Sequence, residues 1–269
     1  MTNTIEHKKF ERKKPIFTKG RILKNEMLEL MRDFPRNITN IYLANQADGV
    51  ISGLDLLVDN THITITPGIV KYEDELLILN EQLKIPYVAD GSIQLLKLQF
   101  QESYETKDFT GQDVIVFLEN LEDDECSKDE MEIARFRLSK GAYLRSDYQD
   151  FEDFKTGHNT LNIVNQPYSS ISGQTLSPVI LRYFARELLK FKTENSHDLS
   201  IVYQVLNQEV SISKELLVNY VQIRLNDDQL KLEGNKDLHK GLTQVMKKAK
   251  LEARGSRRTT SGNRKLIVD

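Results

Sequence analysis

The sequence predicts an α+β fold in which an antiparallel β-sandwich is followed by a C-terminal helical bundle and a tail. Two patterns lead to this prediction. Between residues 36 and about 170, short apolar runs alternate with period two and are separated by turn residues, as in the strands of a sandwich. After Gly173, apolar residues recur every three or four positions, which is the period of packed helices.

The two patterns divide the chain of 269 residues into four segments. A basic arm and a short helix occupy residues 1–35, and a β-sandwich attachment domain occupies 36–172. The helical bundle, which we expect to carry oligomerisation, spans 173–254. A basic tail spans 255–269.

Residues 1–23 are expected to form a basic arm, and residues 1–24 carry eight Lys or Arg against two Glu, a charge of +6. We expect the arm to bind a partner through Lys8, Lys9, Phe10, Arg12, Lys13, Lys14, Ile16 and Phe17. The following stretch, KNEMLELMRDF, predicts a short helix over 24–34, because its apolar residues recur on one face. These residues are Met27, Leu30, Met31 and Phe34. Pro35 is expected to end the helix.

The first clear strand is HITIT, in which Ile63 and Ile65 alternate with polar residues. Pro67-Gly68 then turns the chain, and we expect Gly68 to need a backbone angle that other residues avoid. The stretch GIVKYEDELLIL predicts a hairpin with its turn at Glu73-Asp74.

Three further stretches complete the predicted sandwich. In SIQLLKLQF the apolar phase slips between Leu95 and Leu96, which predicts a bulge. DVIVFLEN is apolar on both sides, which is typical of a central strand. EIARFRLSKGAYLR predicts a strand followed by a turn at Lys140-Gly141.

Four helices are predicted after Gly173. Ser177-Pro178 has the residues of a helix start, and the helix runs to about Lys192. Asp198 is expected to cap a second helix that ends at Leu206, and Ser211 or Ser213 a third that ends at Leu225. A last helix begins at about Lys236.

The third helix carries apolar residues around most of its circumference, so it is expected to be buried on more than one side. A bundle of this size supplies only roughly 3–5 kcal/mol of stability by itself. We therefore expect the bundle to join copies of the chain, through Ile180, Leu181, Phe184, Leu188, Phe191, Leu217, Tyr220 and Val221.

No catalytic, cofactor or metal motif is found, and the protein is expected not to be an enzyme. The five His are far apart, and neither a phosphate-binding glycine loop nor a nucleophile elbow is present. The acidic run 122–125 lacks the order of a calcium loop. Cys126, in acidic surroundings, is expected to be inert.

The basic ends leave two interpretations open, nucleic-acid binding and docking on protein. Residues 240–269 carry nine Lys or Arg against two acidic residues, a charge of +7, and the middle of the chain is −16. An acidic body repels nucleic acid, which favours protein docking. The tail is expected to act as a hook through Arg257, Arg258, Leu266, Ile267 and Val268.

Two other classes of function are less favoured. A carbohydrate-binding sandwich is an alternative, although the chain has no Trp to stack on sugar rings. Membrane insertion is not expected, because no run of about 18 apolar residues exists.

One stretch, ISGLDLLVDNTHITITPGIVKYEDELLIL, resembles the opening β-module of phage tail baseplate and receptor-binding proteins. The matching residues are Gly53, Leu54, Ile63, Ile65, Pro67, Gly68, Ile69, Leu77 and Leu79. Further on, MEIARFRLSKGAYLR is similar to the segment that closes such modules. The order of sandwich and bundle is similar to the shoulder and neck of the type VI secretion baseplate trimer.

The resemblance implies a homotrimeric structural component of a phage-type contractile tail baseplate. Because no third, receptor-engaging part follows the bundle, it implies a connector between the baseplate and fibre or receptor-binding components. The expected location is the virion tail baseplate, assembled in the cytoplasm of the bacterial host. The expected partners are other copies of the chain and other baseplate or fibre proteins.

Overall fold

The computed structural model describes residues 13–73, 75–121, 126–208 and 211–261, with side chains up to residue 255. It confirms the α+β class, with antiparallel sheets followed by helices. The chain divides into two compact units, residues 1–45 and 46–269, each of which is described by itself.

The first unit contains a single long helix among its described residues, α1 (Asn25–Leu43). The predictions that Pro35 ends this helix and that residues 36–43 belong to the β region are wrong. Proline removes one helical hydrogen bond, at a cost of about 3 kcal/mol in a helix interior. The apolar period continues past it through Ile38 and Ile41, and the Thr39 hydroxyl donates to the Pro35 carbonyl over 2.9 Å.

The second unit begins with three small antiparallel sheets. Each sheet contains three strands, and a two-stranded hairpin is separate from them. The first sheet has the order β1 (Gly49–Gly53), β4 (Gly68–Tyr72), β5 (Glu75–Leu79), and the second has the order β2 (Leu56–Val58), β3 (His62–Ile65), β6 (Leu83–Pro86). The third has the order β10 (Val114–Asn120), β7 (Ile93–Phe100), β11 (Glu130–Arg137), and the hairpin, which lies between β7 and β10 in sequence, joins β8 (Tyr104–Glu105) and β9 (Thr110–Gly111).

The hairpin after Pro67-Gly68 is confirmed, since β4 pairs with β5, and the chain bends at Pro67 between β3 and β4. The expectation of a special backbone angle at Gly68 is wrong, because its φ lies outside the left-handed region. Gly68 is needed for space instead. A Cβ built there would lie 2.5 Å from the Leu54 nitrogen and 2.7 Å from the Ser52 oxygen.

The third sheet corrects two predictions. The strand DVIVFLEN, predicted to be central, is the edge strand β10, and β7 lies in the centre. The bulge lies in β11, between Glu132 and Ala134, and not in β7. Leu95 and Leu96 are both buried because a central strand is covered on its two faces. Burial on both faces, and not an extra residue, explains the slip in apolar phase.

Four helices complete the second unit: α2 (Pro178–Phe191), α3 (Ser196–Asn207), α4 (Lys214–Leu225) and α5 (Asn235–Ser261). Ser177 caps α2 as predicted, accepting from the Val179 amide over 3.2 Å. Ser213 precedes α4, but its hydroxyl donates to the Ile171 carbonyl.

Two helix ends differ from prediction. Asp198 does not cap α3; Asn195 does, and Asp198 is buried in the first turn. Helix α5 continues through Gly255, where the tail was expected to begin, to Ser261. A glycine costs a helix only about 1 kcal/mol, and Ala253, Arg254, Arg257 and Arg258 around it are good helix formers.

The core of the second unit is continuous from the sheets into the helices. Aromatic rings connect the two parts. Phe151 lies in the irregular segment after β11, and its ring centroid is 5.6 Å from that of Phe184 in α2. Phe154 packs against Phe151 and, at 5.3 Å, against Tyr183. Side chains from before and after residue 172 therefore share one packed interior.

Candidate partner-binding surfaces

Helix α1 carries a stripe of exposed apolar side chains. Met31 is 54% exposed, Phe34 61%, Ile38 52% and Ile41 78%. Two residues that were predicted to share this face, Met27 and Leu30, are half-buried. Large apolar groups gathered in one exposed patch mark a surface that binds another protein. The sequence predicted the part of the stripe before Pro35 and missed Ile38 and Ile41, because the helix was expected to end at Pro35.

The arm before α1 falls partly outside the described residues. Lys8, Lys9, Phe10 and Arg12 lie outside them. Lys13, Lys14, Ile16 and Phe17 are described and exposed. The Lys13 ammonium lies 3.9 Å from the Glu26 carboxylate, and both side chains are mostly exposed, so this ion pair contributes little stability. Ile16 and Phe17 are available to a partner because both are more than half exposed.

An apolar cleft of about 230 Å³ opens between the edge strands β5 and β10. Its walls are mostly aliphatic, with polar groups only at Gln112 and Asp113; the apolar lining includes Leu77, Leu79, Leu83, Leu98, Phe100, Val114 and Val116. In the part of the chain that the structure describes, β5 pairs only with β4, and β10 only with β7. An open strand edge beside an apolar cleft suits an extended peptide from a partner.

The residues predicted to join copies through the bundle lie inside the chain's own core. Ile180, Leu181, Phe184, Leu188, Leu217, Tyr220 and Val221 are buried, and Phe191 is half-buried. Their apolar surface is already covered within one chain. A contact between copies at the bundle would have to use other residues, such as Tyr203 and Ile223, which are exposed.

The centre of the bundle holds a buried ion pair that the sequence reasoning missed. Arg224 donates from Nε to Asp198 over 2.7 Å and from Nη2 to Glu252 over 2.8 Å. Asp198 also accepts from the hydroxyls of Tyr220 and Thr193 over 2.8 and 2.7 Å. The network ties α3, α4 and α5 together. The sequence did contain a signal for this ion pair, because Arg224 lies on the apolar face of α4.

Burial and charge set the pKa of two members of this network. Burial raises the pKa of the Tyr220 hydroxyl, and the Asp198 carboxylate adds to the effect. Burial lowers the pKa of Arg224, but hydrogen bonding to Glu252 and the charge of Asp198 outweigh it, so the pKa is raised. Both groups keep their protons at neutral pH, and the network has a structural role.

His239 is buried in α5 and is also structural. Its ring stacks on Phe151 at a centroid distance of 4.5 Å, and Nε2 lies 3.0 Å from the Phe151 carbonyl oxygen, to which it donates. Burial lowers the pKa of His239 to about 4. The ring is therefore neutral at physiological pH, and its hydrogen bond joins α5 to the segment that follows the sheets.

A buried lysine in the third sheet is neutralised by two carboxylates. Lys97 Nζ lies 2.6 Å from Glu119 and 3.0 Å from Glu130. Nearby, burial raises the pKa of the Cys126 thiol, so it stays protonated near neutral pH. This agrees with the expectation of an inert cysteine.

The remaining predictions concern absences and the tail. Within the described ranges, no group of three or more His, Cys, Asp or Glu is placed to bind a metal. The acidic run 122–125 lies outside those ranges. The helices that the structure describes are all too short or too polar to cross a bilayer. Arg257 and Arg258 fall on the helical backbone of α5, and Leu266, Ile267 and Val268 lie outside the described residues.

No protein-family model matches this sequence, and no curated protein matches it. Among solved structures, it is similar at 10% identity to a chain of the type VI secretion system TssK-TssF-TssG baseplate subcomplex seen by cryo-electron microscopy, with 88% of this chain and 100% of that chain covered and a TM-score of 0.38. It is also similar at 10% identity to the crystal structure of TssK, with 87% of this chain and 67% of that chain covered and a TM-score of 0.39. A third similar structure is a chain of the baseplate complex from the type VI secretion system, at 10% identity, with 88% of this chain and 100% of that chain covered and a TM-score of 0.34.

Proposed function

We propose that this protein is a structural, non-catalytic subunit of a phage-type contractile tail baseplate or a related injection machine. In this role it connects the baseplate to fibre or receptor-binding components through protein–protein contacts. The proposal starts from the resemblance of residues 50–80 and 131–145 to phage baseplate modules. Those segments form β1 to β5 and β11, strands that pack into one core.

The observation that carries the proposal is the exposed apolar stripe of α1. A helix whose largest side chains face water is stable only when another surface covers them. The exposed Ile16 and Phe17 of the arm extend this apolar character toward the N-terminus. A chain with such surfaces functions by contact with other proteins.

The cleft between β5 and β10 supplies a second contact of a different kind. It presents open strand edges and aliphatic walls, whereas α1 presents a helical face. Two contacts of different geometry in one chain suit a connector, because each can hold a different neighbour. The basic arm and tail add charge that complements the acidic middle of a neighbouring copy.

The finer parts of the proposal come from the resemblance. The subunit is a homotrimer, it resides in the tail baseplate, and it assembles in the cytoplasm of the bacterial host. Its partners are copies of itself and other baseplate or fibre proteins. Neither nucleic acid nor membrane insertion has a role in this function.

The proposal is tested by incorporation into particles. Contractile particles are purified from cells that produce the full chain, a chain lacking residues 1–23, or a chain lacking residues 262–269. Both truncations leave every residue of the described hydrophobic core in place, so we expect the proteins to keep their main unfolding transition. We expect them to be depleted from the particles. Lys140→Gln, in an exposed turn, is the control and is expected to be incorporated normally.

Normal incorporation of both truncated chains would contradict the proposed role of the arm and tail in binding neighbouring proteins. Absence of the full-length chain from the particles would contradict the proposed function itself. A purified chain that hydrolyses or modifies a glycan would support the sandwich alternative instead.

A further inference from the structure

The apolar stripe of α1 has the spacing of a coiled-coil seam. Its residues are separated by four, three, four and three positions: Met27, Met31, Phe34, Ile38 and Ile41. This repeat has a mean spacing of 3.5 residues, slightly less than the 3.6 of a straight α-helix. Helices with such a seam wind around one another with a left-handed twist, because only then does the stripe keep facing its partner.

The other residues of α1 fit the same register. All its charged residues lie on the side away from the seam: Glu26, Glu29, Arg32, Asp33 and Arg36. The positions flanking the seam hold no charge, and apolar Leu28, Leu30 and Tyr42 are among them. Flanking charges normally set the choice and orientation of the partner helix, and a broad uncharged stripe suits contact with more than one helix.

The seam residues also indicate how many helices associate. Ile38 and Ile41 occupy the two successive core positions of the last heptad, and isoleucine at both positions favours three or four strands over two. Identical helices related by a closed threefold axis must run parallel. Each layer of such a seam then contains the same residue from each copy.

We propose that α1 joins copies of this protein in a parallel, left-handed coiled coil of three helices. The inference deepens the proposed function, on which its biological setting depends, and it assigns self-association to α1 instead of the buried face of the bundle. Pro35 fits this assembly, because it lies outside the seam between Phe34 and Ile38. Association covers the exposed stripe and stabilises a helix that contains a proline.

The first test measures the molar mass of the full chain by light scattering after size-exclusion chromatography. We expect three times the chain mass for the native protein and a single chain mass for the double variant Ile38→Glu/Ile41→Glu. The matched control, Asn25→Glu/Asn40→Glu, adds the same two charges on exposed sites away from the seam and should keep the native mass. A milder variant, Ile38→Ala/Ile41→Ala, should shift the mass partway toward one chain.

The second test determines orientation by disulfide formation in a Cys126→Ser background. In a parallel coil, Ile41 of one copy lies beside Ile41 of the next, so Ile41→Cys should form covalent dimers on mild oxidation. In an antiparallel pair centred on Phe34, residue 41 would lie beside residue 27, and only the Met27→Cys/Ile41→Cys variant would cross-link. Asn40→Cys, on the outer side, should remain uncoupled.

The outcomes separate this inference from the proposed function. A trimer whose mass survives the seam variants overturns the coiled coil but leaves the trimeric subunit intact. A native chain that is monomeric at the highest concentration measured also overturns the inference, because the seam then takes a helix of another protein. Presence of the full chain in contractile particles is unaffected by either result.

Discussion

Gly53 and Gly68 lie opposite one another across the β1–β4 pair, so close that neither position has room for a side chain. A Cβ on Gly53 would lie 2.1 Å from the Pro67 oxygen, and one on Gly68 would lie 2.1 Å from the Leu54 side chain. Both are among the residues that carry the resemblance to phage baseplate modules. This close approach of the two glycines allows the chain to turn at Pro67 and to start β4 directly beside the end of β1.

The first prediction follows from this crowding. We expect Gly68→Ala to lower the free energy of unfolding by about 3 kcal/mol, the upper range for overpacking, because the new Cβ meets backbone atoms that cannot rotate away. Gly91→Ala is the matched comparison, since Gly91 has a φ of +90° and no heavy atom within 4 Å of the added Cβ. It should cost only about 1–2 kcal/mol from its backbone angle. Urea titration measures both, and equal costs would contradict the crowding argument.

The second prediction concerns the buried pair of Asp198 and Arg224. Arg224→Met leaves a carboxylate with no exposed surface and no cation, which we expect to cost about 3–5 kcal/mol. Lys190→Met breaks a pair whose lysine is 70% exposed, so it should cost at most about 1 kcal/mol and leave the unfolding midpoint nearly unchanged. Chemical denaturation compares the two variants. A neutral Arg224→Met would show that the network does not hold the bundle together.

The third prediction is a loss of stability in mild acid caused by His239. Its pKa is lowered to about 4 in the native state, whereas an unfolded His titrates near 6.5. Above that value both states are neutral; as pH falls below it, the unfolded chain binds a proton that the native chain resists. Stability is therefore lost progressively down to the native pKa, by roughly 3 kcal/mol.

The measurement is the unfolding free energy of the native chain and of His239→Gln at about pH 7.5 and about pH 4. Carboxylates contribute equally to both proteins, so the native chain should lose more stability than the variant. An identical loss in the two proteins would mean that the buried ring accepts a proton without cost.

The fourth prediction separates protein docking from nucleic-acid binding at the basic ends. We expect no binding of the full chain to a mixed-sequence DNA or RNA in fluorescence anisotropy, even at low salt of about 50 mM, because the acidic middle repels phosphate. Binding that falls steeply as salt rises would instead support the nucleic-acid alternative.

Much of the fold could be predicted where local chemistry decides it. Ser177 and Pro178 start α2 because a cap and a proline at the first turn each satisfy a local requirement. Ile63 and Ile65 are fully buried in β3 as predicted, although Thr64, expected on the exposed face, is buried between them. These signals involve neighbouring residues and do not depend on the rest of the chain.

The failures arise where distant residues decide the outcome. Asp198 has the character of a cap, but it is drawn into the core by Arg224, which is 26 residues away in the chain. Gly68 was assigned a backbone role, whereas its real constraint is the approach of β1. The bundle residues were assigned to other copies because a sequence does not show that the neighbouring helices and the segment after β11 already cover them.

The measurement that tests the central claim most directly is quantitative mass spectrometry of purified contractile particles from the source of this protein. We predict that the chain is a fixed component of the particle, present in a multiple of three copies and retained through washing at high salt. A chain that is abundant in the cell extract but missing from washed particles would contradict its assignment as a baseplate subunit.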